Sequence, residues 1–525
     1  MQLSKLSYDL FSNTDQLISF TSINPITSFW QLCEMEEQRL GPDLARLRHD
    51  LQSLSVPSLF PDSPDFDKHA QSYNRVFSYK PAAICVPRTD EDISNAIRCA
   101  HAHGLKVQPK SGGHSYGAFS SGGQDGGMII HLKNFTSVQL DTNTNVAVVG
   151  AGARLGRLAS ELFRQGKAAV PHGTIKNVGV GGHFSHGGYG YQSRAWGLGL
   201  DRICGLDVVL ADGRRVHVTA EGQPELWFAL RGSADSFGII TRFHLQTVPA
   251  PERVVLFSFE IAGIVENVEE ATSTFLQIQS VVQDSEKVDR KLSFGFYIHQ
   301  KSWTIWGVYL GDKDHFESHI ASALLHGIKR PVKKLVQSME WLECLEWFSE
   351  SHSNDASEEA FDTFYAQSVL IPENEPLSEE VAYNYFDCMR SLQLESSQSW
   401  YAVINLHGGP DSQITSIPSD ASSYTHRHSL WVMQHYGYAT NHLPPLLDST
   451  KAAVNDLTQT IRKAYPAAQL GAEANYQDPD MDRDMAHRLH HGEVAVARLE
   501  ALKAEVDPGE VFWNPQSIRP AVTRS

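Results

Sequence analysis

A loop of small and polar residues around a histidine is the first place in the sequence where chemistry could occur. The stretch Lys110-Ser-Gly-Gly-His-Ser-Tyr116 directly follows a short predicted strand. Consecutive glycines let the backbone approach a ligand closely and direct its N–H groups at a phosphate. A tight turn that merely exposes His114 would have the same local sequence, so this loop alone leaves both interpretations open.

A second glycine-rich stretch, residues 178–190, carries six glycines in thirteen residues. Its spacing is not the G-x-G-x-x-G of a Rossmann turn, and no acidic residue stands at the expected offset. The interleaved Val178, Val180 and Phe184 are apolar, which argues for burial and against a flexible surface loop. Two such loops in one domain predict a ligand of dinucleotide size.

Short helices and strands must position both loops. Thr89 followed by Asp92 has the form of a capping box, and it predicts a helix that ends at Gly104. Asp212-Gly213 predicts the turn of a hairpin. The predicted strands of this region are 106–108, 146–149, 206–210, 215–218 and 239–245. Because helices and strands are mixed, the region predicts an α+β domain.

The chain after Pro251 predicts a second domain built on a mostly antiparallel sheet. Phe294, Phe296 and Ile298 alternate with other residues, which is typical of a strand with one buried face. Further predicted strands cover 304–310, 401–407 and 430–436. After Pro466 the composition becomes polar and helical. The first 60 residues also indicate helix, through the spacing of Leu40, Leu44, Leu47 and Leu51.

Composition and charge restrict the partners. The formal net charge is −17, and a protein that neutralises phosphates needs a basic surface, so we expect no nucleic acid and no docking to a membrane. No stretch has the length of a transmembrane helix, and residues 1–30 lack the apolar core of a signal peptide, which favours a cytoplasmic address. The six cysteines form no CxxC pair, so we expect no metal site.

Taken together, these motifs resemble the berberine-bridge-enzyme-like oxidases of the vanillyl-alcohol oxidase superfamily, and among them the fungal oligosaccharide oxidases. The likeness runs from about Cys33 to Ile518. Besides the two loops, it is carried by His172-Gly-Thr, Ser193-Arg194, Gly197-Leu198, Asp201, Leu230-Arg-Gly232, Asn475-Tyr476 and Asn514-Pro-Gln-Ser-Ile518.

The resemblance implies an α+β fold with three segments. A two-part PCMH-type FAD-binding domain would comprise residues 1–250, with its core at about 77–250, and a berberine-bridge-like return at 466–525. Between them, residues 251–465 would form an inserted substrate domain on a large antiparallel sheet flanked by helices.

FAD is the implied cofactor, with its 8α-methyl bonded to His114. Many relatives add a bond from a cysteine to flavin C6, but Ile175 occupies that position, so we expect a single attachment. The other positions that match cofactor-binding residues are Lys110, Ser111, Gly112, Gly113, Ser115, Gly117, His172, Gly173, Thr174, Gly179, Gly181, Gly182, His183, Gly187, Gly188, Gly238, Ile239, Asn475, Tyr476 and Asn514.

The resemblance also pairs Cys33 with Cys99 as a disulfide. That pairing indicates descent from a secreted protein and opposes the cytoplasmic address.

Catalytic roles follow from the same resemblance. Tyr436 matches the tyrosine that removes the hydroxyl proton while hydride passes to flavin N5, and Glu359 matches its acidic partner. Tyr116 and Tyr189 match tyrosines of the active-site wall, although core packing would equally explain aromatic residues at these places. Asn405 occupies the position of an acidic base in berberine-bridge-type enzymes.

Three functions remain open from the sequence. Val403 replaces a sugar-contacting glutamine of the oligosaccharide oxidases, which favours an oxidase of another alcohol or secondary metabolite. The second function is a sugar oxidase that forms a lactone, and the third is a flavin-binding protein without turnover. The segment Val178-Gly-Val180 resembles that of relatives that react with oxygen, which favours O2 as the second substrate, beside a small-molecule alcohol. The sequence indicates no oligomeric state.

Overall fold

The computed structural model of the chain describes residues 43–330, 332–352, 361–466 and 469–522. Leu40, Cys33 and Glu359, which carry predictions made above, lie outside these ranges. The predicted disulfide and the predicted acidic partner therefore stay predictions. None of the helices within these ranges is long and apolar enough to cross a membrane.

The described part of the first half, residues 44–249, mixes short helices with three small sheets. Its helices are α1 (Leu44–Ser53), α2 (Phe66–Ala70), α3 (Asp90–Ala102), α4 (Leu155–Gly166), α5 (Val180–Ser185), α6 (Ser193–Trp196) and α7 (Pro224–Leu230). Its strands are β1 (Ser58–Leu59), β2 (Ala83–Cys85), β3 (Val107–Lys110), β4 (Met128–His131), β5 (Val138–Asp141), β6 (Val146–Gly150), β7 (Ala168–Ala169), β8 (Ile203–Val209), β9 (Arg215–Val218), β10 (Ile239–Gln246) and β11 (Val248–Pro249).

The sheets of this half differ in strand direction. The four-stranded sheet has the order β1-β2-β4-β3, in which β4 pairs in parallel with both β2 and β3. The five-stranded sheet has the order β5-β6-β10-β8-β9 and is antiparallel throughout. Strands β7 and β11 form a separate pair.

The second half is built on one large sheet. Its strands are β12 (Arg253–Ala262), β13 (Leu292–His299), β14 (Ser302–Tyr309), β15 (Lys333–Glu340), β16 (Phe364–Pro372), β17 (Gln398–Leu406) and β18 (Ser429–Ala439). They pair antiparallel in the order β15-β12-β14-β13-β17-β18-β16. Its helices are α8 (Val268–Val282), α9 (Lys313–His315), α10 (Ser322–Leu325), α11 (Trp341–His352), α12 (Glu379–Ser391) and α13 (Asp448–Arg462). The last helix of the chain, α14 (Arg483–Val506), follows them.

The two faces of the large sheet have different neighbours because side chains alternate along each strand. One face packs with α8, α12 and α13 into a core of its own. Along β17 the core side chains are Trp400, Ala402, Ile404 and Leu406. The residues between them, Tyr401, Val403 and Asn405, line a cavity on the opposite face. The same alternation holds in β12, β13, β14 and β18, so five strands build one wall of that cavity.

The end of the chain returns to the first half. Leu499, Phe512 and Ile518 are buried in the core that also holds the strands of residues 83–245. This arrangement supports the proposed division into residues 1–250, 251–465 and 466–525, which stays a prediction.

Several local predictions agree with the structure. Thr89 and Asp92 form the capping box that starts α3, and Gly213 takes a φ of +80° in the turn before β9. The predicted strands are all present, with ends shifted by a few residues, and the α+β fold is confirmed. Within the described part of the predicted N-terminal helix, Leu47 and Leu51 are buried in α1 whereas Leu44 is exposed.

Candidate active site

A cavity of about 960 Å³ separates the glycine-rich loops from the large sheet. This volume lies at the upper end of the range for cofactor and ligand sites. The predicted site residues that line it are Ser111, Gly112, Gly113, His114, Ser115, Tyr116, Gly173, Thr174, Gly179, Gly181, Gly182, His183, Tyr189, Gly238, Asn405, Tyr436, Asn475 and Tyr476. The others in the described ranges do not line it: Lys110, Gly117, His172, Gly187, Gly188, Ile239 and Asn514.

His114 lies on the cavity wall in a loop that is held by contacts with residues 69–73. Its ring stacks on Tyr73 with 4.5 Å between the centroids, and the Tyr73 N–H donates to the Gly113 carbonyl over 3.0 Å. Lys110 is buried beneath the loop and donates from Nζ to the carbonyls of His69 and Gln71 over 2.9 and 2.5 Å. These contacts support the loop on one side and leave His114 on the cavity wall.

The surroundings of His114 keep its imidazole neutral. Burial is the largest cause that lowers its pKa to about 3; the nearby cations Arg154 and Lys110 also lower it, against a backbone hydrogen bond at Asn177 that raises it. Burial also lowers the pKa of Lys110 to about 7, with Arg154 as the second cause. A neutral imidazole has a free lone pair, which is the state that a covalent bond from a ring nitrogen requires.

The two glycine-rich loops touch each other where neither tolerates a side chain. A Cβ on Gly112 would lie 2.4 Å from the Gly179 nitrogen, and one on Gly179 would lie 2.2 Å from the Gly112 nitrogen. Ser111 joins them, since the Gly181 N–H donates to its Oγ over 3.3 Å. A Cβ on Gly182, by contrast, would meet no atom within 4 Å, so backbone faces open cavity there, as a closely bound cofactor needs.

Polar groups behind this wall hold it in place. The Gly173 N–H donates to His183 Nε2 over 2.9 Å, and Asn475 Nδ2 donates to the His183 carbonyl over 3.3 Å. His186 Nε2 lies 3.3 Å from Asp235 Oδ1, while Asn514 Nδ2 donates to Asp235 Oδ2 over 2.9 Å. Asn514 therefore acts on the cavity through Asp235, which lines it.

Two ionisable groups on this side of the cavity, His186 and Glu473, have raised pKa values. Burial lowers the pKa of His186, but the Asp235 carboxylate outweighs it and the net pKa is raised. Glu473 is buried beside them, accepts a hydrogen bond from the Tyr424 hydroxyl over 2.7 Å, and lines the cavity. Burial raises its pKa to about 7, against the hydrogen bonds from Tyr424 and Asn475.

Tyr436 lies on the opposite wall and donates from its hydroxyl to Asp362 Oδ2 over 2.6 Å. Its ring is sandwiched between Tyr401 and Phe364, with centroids 4.6 and 4.4 Å away. Burial raises the pKa of Tyr436 well above 10, and its neighbours, Asp362 among them, raise it further. The phenol is therefore protonated at rest and passes its hydrogen bond to a carboxyl group.

Asp362 connects Tyr436 to a partly exposed histidine. Asp362 Oδ1 shares a hydrogen bond of 2.9 Å with His442 Nδ1, and the backbone N–H of Thr363 donates to the same oxygen over 2.7 Å. All three members of this row, Tyr436, Asp362 and His442, line the cavity. The acidic neighbour of Tyr436 within the described residues is thus Asp362, three positions after the predicted Glu359.

The remaining predicted residues complete the same wall. Tyr116 stacks on Tyr476 at 5.8 Å and accepts a hydrogen bond from Gln434 Nε2 over 2.7 Å. Gln434 lies directly across from Val403 in the pairing of β18 with β17. The Tyr189 hydroxyl donates to the Leu406 carbonyl over 3.2 Å.

His407 is the least expected member of the site. Its ring stacks on Tyr189 at 4.1 Å, and burial lowers its pKa to about 3. Neither ring nitrogen has a hydrogen-bond partner among the described residues, although both are buried. Because His407 also lines the cavity, these two polar atoms fit a ligand that fills it.

Ile175 lies on the cavity wall, as the sequence predicts for the second attachment position. Its side chain has no thiol. None of the cysteines in the described ranges, which are Cys85, Cys99, Cys204, Cys344 and Cys388, lines the cavity.

Sequence reasoning missed several residues of the site: Arg154, His186, Asp235, Asp362, Gln434, His407, His442 and Glu473. Arg154 donates from Nη1 to the Asn177 carbonyl over 2.9 Å. Only His186 stood inside a motif quoted for the resemblance. The others belong to strands or loops with no distinctive spacing, and only the tertiary fold brings them to the cavity.

The chain matches two family models and is similar to known oxidases. Residues 81–219 match the family model described as FAD binding domain, and residues 474–519 match the one described as berberine and berberine like. The carbohydrate oxidase of Microdochium nivale is 33% identical over 478 residues, which are 90% of this chain and 94% of that protein.

Solved structures agree with that likeness. The xylooligosaccharide oxidase from Myceliophthora thermophila C1 in complex with xylobiose superposes with a TM-score of 0.84 at 30% identity, covering 91% of this chain and 100% of that one. The glucooligosaccharide oxidase from Acremonium strictum, described for its 6-S-cysteinyl, 8α-N1-histidyl FAD, has a TM-score of 0.85 at 30% identity, covering 91% and 99%.

Proposed function

We propose that this chain, which belongs to the berberine-bridge-enzyme-like family of FAD-linked oxidoreductases, is a carbohydrate oxidase that converts a sugar hydroxyl into a lactone carbonyl. The observation that carries the proposal is the Tyr436–Asp362 hydrogen bond of 2.6 Å on the wall opposite the glycine-rich loops. Such a pair can take the proton of a bound hydroxyl group. Its presence also favours turnover over a flavin-binding protein without activity.

FAD would be held between the loops and attached once, at His114. Four features support this: the neutral imidazole, the open backbone at Gly182, the cavity volume and the absence of a thiol at Ile175. When bound, the flavin would accept the hydride and would then be reoxidised by O2. Asn475 and Tyr476 would close the cofactor site from the C-terminal side.

Proton removal falls to the row of Tyr436, Asp362 and His442. The protonated phenol of Tyr436 accepts the substrate hydroxyl proton as it gives its own proton to Asp362 Oδ2. The other oxygen of Asp362 faces His442, whose side chain is 30% exposed, so the proton has a route to solvent. The raised pKa of Tyr436 requires this coupled transfer, because a free phenolate would not form near neutral pH.

Two classes of substrate are candidates for this site. Relatives named as carbohydrate and xylooligosaccharide oxidases favour a sugar, and the wall offers polar contacts from Ser258, Glu260 and Gln434. An alcohol of aromatic or secondary-metabolite character is the second candidate. It is favoured by Val403, which stands where the oligosaccharide oxidases have a sugar-contacting glutamine, and by a cavity wall rich in tyrosine.

Anaerobic reduction of the purified yellow protein separates the two candidates. A reducing disaccharide such as xylobiose should bleach the flavin, whereas the same sugar blocked as its methyl glycoside should not, because no hydroxyl remains at the reacting carbon. Val403→Gln should improve kcat/KM for the sugar. Bleaching by aromatic alcohols alone, with no response to any reducing sugar, would select the second candidate.

A further inference from the structure

Three residues remote from the cavity come together on one face of the five-stranded sheet. Asp207 on β8 lies directly opposite His217 on β9 in the strand register. His244 on β10 lies opposite Gly205, two residues before Asp207 on β8. Because β8 runs between β9 and β10, side chains from three strands reach one point.

The ligand-type atoms of this cluster, one from each residue, all lie within 4.8 Å of one another. Asp207 Oδ1 is 2.7 Å from His217 Nδ1 and Asp207 Oδ2 is 3.3 Å from His244 Nε2. The two rings are edge to face with 4.9 Å between centroids.

One atom of the cluster is only weakly engaged by protein contacts. His244 Nε2 is buried, and its 3.3 Å contact with Asp207 Oδ2 is a long ion pair that lacks hydrogen-bond geometry. A buried ring nitrogen held this weakly has lost its hydration for little in return. Because it lies within 4.8 Å of ligand-type atoms of Asp207 and His217, one ion could contact all three residues.

Gly205 makes this meeting of two imidazoles sterically feasible. A Cβ at position 205 would lie 3.1 Å from His217 Cε1 and 3.5 Å from the His244 Cβ. A side chain at position 205 would therefore press on the His217 ring, while its contact with the His244 Cβ would be an ordinary one. The nearest cation, Arg242, is 3.9 Å from Asp207, but its guanidinium is engaged by Asp90 at 2.7 Å.

We propose that Asp207, His217 and His244 bind one Zn²⁺ ion, which ties β8, β9 and β10 together. Two imidazoles and one carboxylate are a ligand set that zinc accepts, with water in the fourth position. The site has no cysteine and no short motif, because its members are spread over 38 residues (207 to 244). This explains why the cysteine pattern, from which we expected no metal site, gave no sign of it.

Zinc titration of the holoenzyme tests the proposal. The flavin-loaded protein is stripped with chelator and titrated with ZnCl2 by calorimetry, with bound metal counted by elemental analysis. We expect one ion per chain and a higher unfolding temperature with zinc. His217→Ala and His244→Ala should each weaken binding by about 10-fold or more, since even the outer partners of metal ligands are worth 10- to 100-fold.

Two further variants make the outcome decisive. His315→Ala removes a histidine from an exposed stacked pair elsewhere, His315 and His319 at 4.8 Å, and should leave zinc binding unchanged. Gly205→Ala keeps all three ligands but crowds the His217 ring, so it should weaken binding. The proposal is overturned if the wild type does not bind one zinc ion per chain. It is also overturned if His315→Ala weakens zinc binding while His217→Ala and His244→Ala do not. Flavin reduction stays the same in every case, which separates this test from that of the oxidase activity.

Discussion

At the scale of single residues, Tyr436 combines a strongly raised pKa with a short hydrogen bond to Asp362. Tyr436→Phe removes the hydroxyl but keeps the ring stack, so flavin reduction should slow by about 100-fold or more, the usual loss for a general base. Tyr309→Phe is the matched control, since its hydroxyl also faces a carboxylate, Asp289 at 3.4 Å, outside the cavity. Stopped-flow reduction measures both; an unchanged rate for Tyr436→Phe removes it from the mechanism.

Asp362→Asn tests the coupled transfer. An amide at this position still contacts Tyr436 but cannot take its proton, so reduction should slow as in Tyr436→Phe. The double variant should be little slower than either single variant, because both act in one step. Multiplicative losses in the double variant would show that the two residues act separately.

His114 should keep the flavin on the polypeptide through acid precipitation. The neutral imidazole, with its pKa lowered to about 3, supplies the bonding nitrogen, so His114→Ala should bind FAD in the native protein and release it into acid. Absorbance of the supernatant gives the released fraction. A flavin-linked peptide that contains both the His114 and the Ile175 loops would contradict single attachment.

Glu473 predicts a pH dependence of stability. Its pKa rises from 4.5 in the unfolded chain to about 7 in the folded one, so between these values only the folded state keeps the proton. Stability therefore falls as pH rises from about 4.5 to 7, by on the order of 3 kcal/mol, and stays reduced above 7. Glu473→Gln lacks this loss. The difference in unfolding temperature between Glu473→Gln and the wild type should therefore shift in favour of the variant from pH 5 to pH 8. A difference that does not change with pH would contradict the assignment.

At the scale of elements, α3 shows how local sequence specifies structure. The Thr89 hydroxyl accepts from the Asp92 N–H over 3.1 Å, and Asp92 Oδ2 accepts from the Thr89 N–H over 3.1 Å. Thr89→Ala should destabilise the first turn by about 1 kcal/mol, seen as faster hydrogen exchange at Asp92. Thr89→Ser keeps the oxygen and should exchange like the wild type.

Elements of this kind could be predicted because their signals are contiguous: a capping box, a turn glycine and alternating strands. The contacts of Asp362 could not be predicted, because its partners Tyr436 and His442 lie 74 and 80 residues later in the chain. Likewise, Gln434 meets Val403 only through strand register. The motifs placed both glycine-rich loops on the wall of one cavity, whereas the assignment of their residues to a cofactor stays a prediction.

At the scale of the whole molecule, one buried ion pair joins the two halves. Arg427, between β17 and β18, donates from Nη1 to Asp201 Oδ2 over 2.9 Å, and both side chains are buried. Arg427→Met would remove the hydrogen-bonded counter-charge of Asp201 and leave it only the charges of Arg231 and Arg202, neither of which forms an ion pair with it. Breaking a buried pair typically costs about 3–5 kcal/mol, and we expect a loss up to that size. Urea unfolding followed by tryptophan fluorescence measures it, and adding Asp201→Asn should recover part of the loss. No recovery would mean that Arg427 acts through its contacts with Ser422 and Tyr424 instead.

The return of residues 474–519 to the first half also sets an order of events during synthesis. The ribosome makes the His114 loop early, but Asn475 and Tyr476, which close the same cavity, emerge only after the entire large sheet. Phe512 and Ile518 complete the core of the first half later still. Under the proposed linkage to His114, we expect flavin attachment to follow translation of this last segment, so that a stop codon shortly before residue 474 yields a colourless protein even though His114 is present.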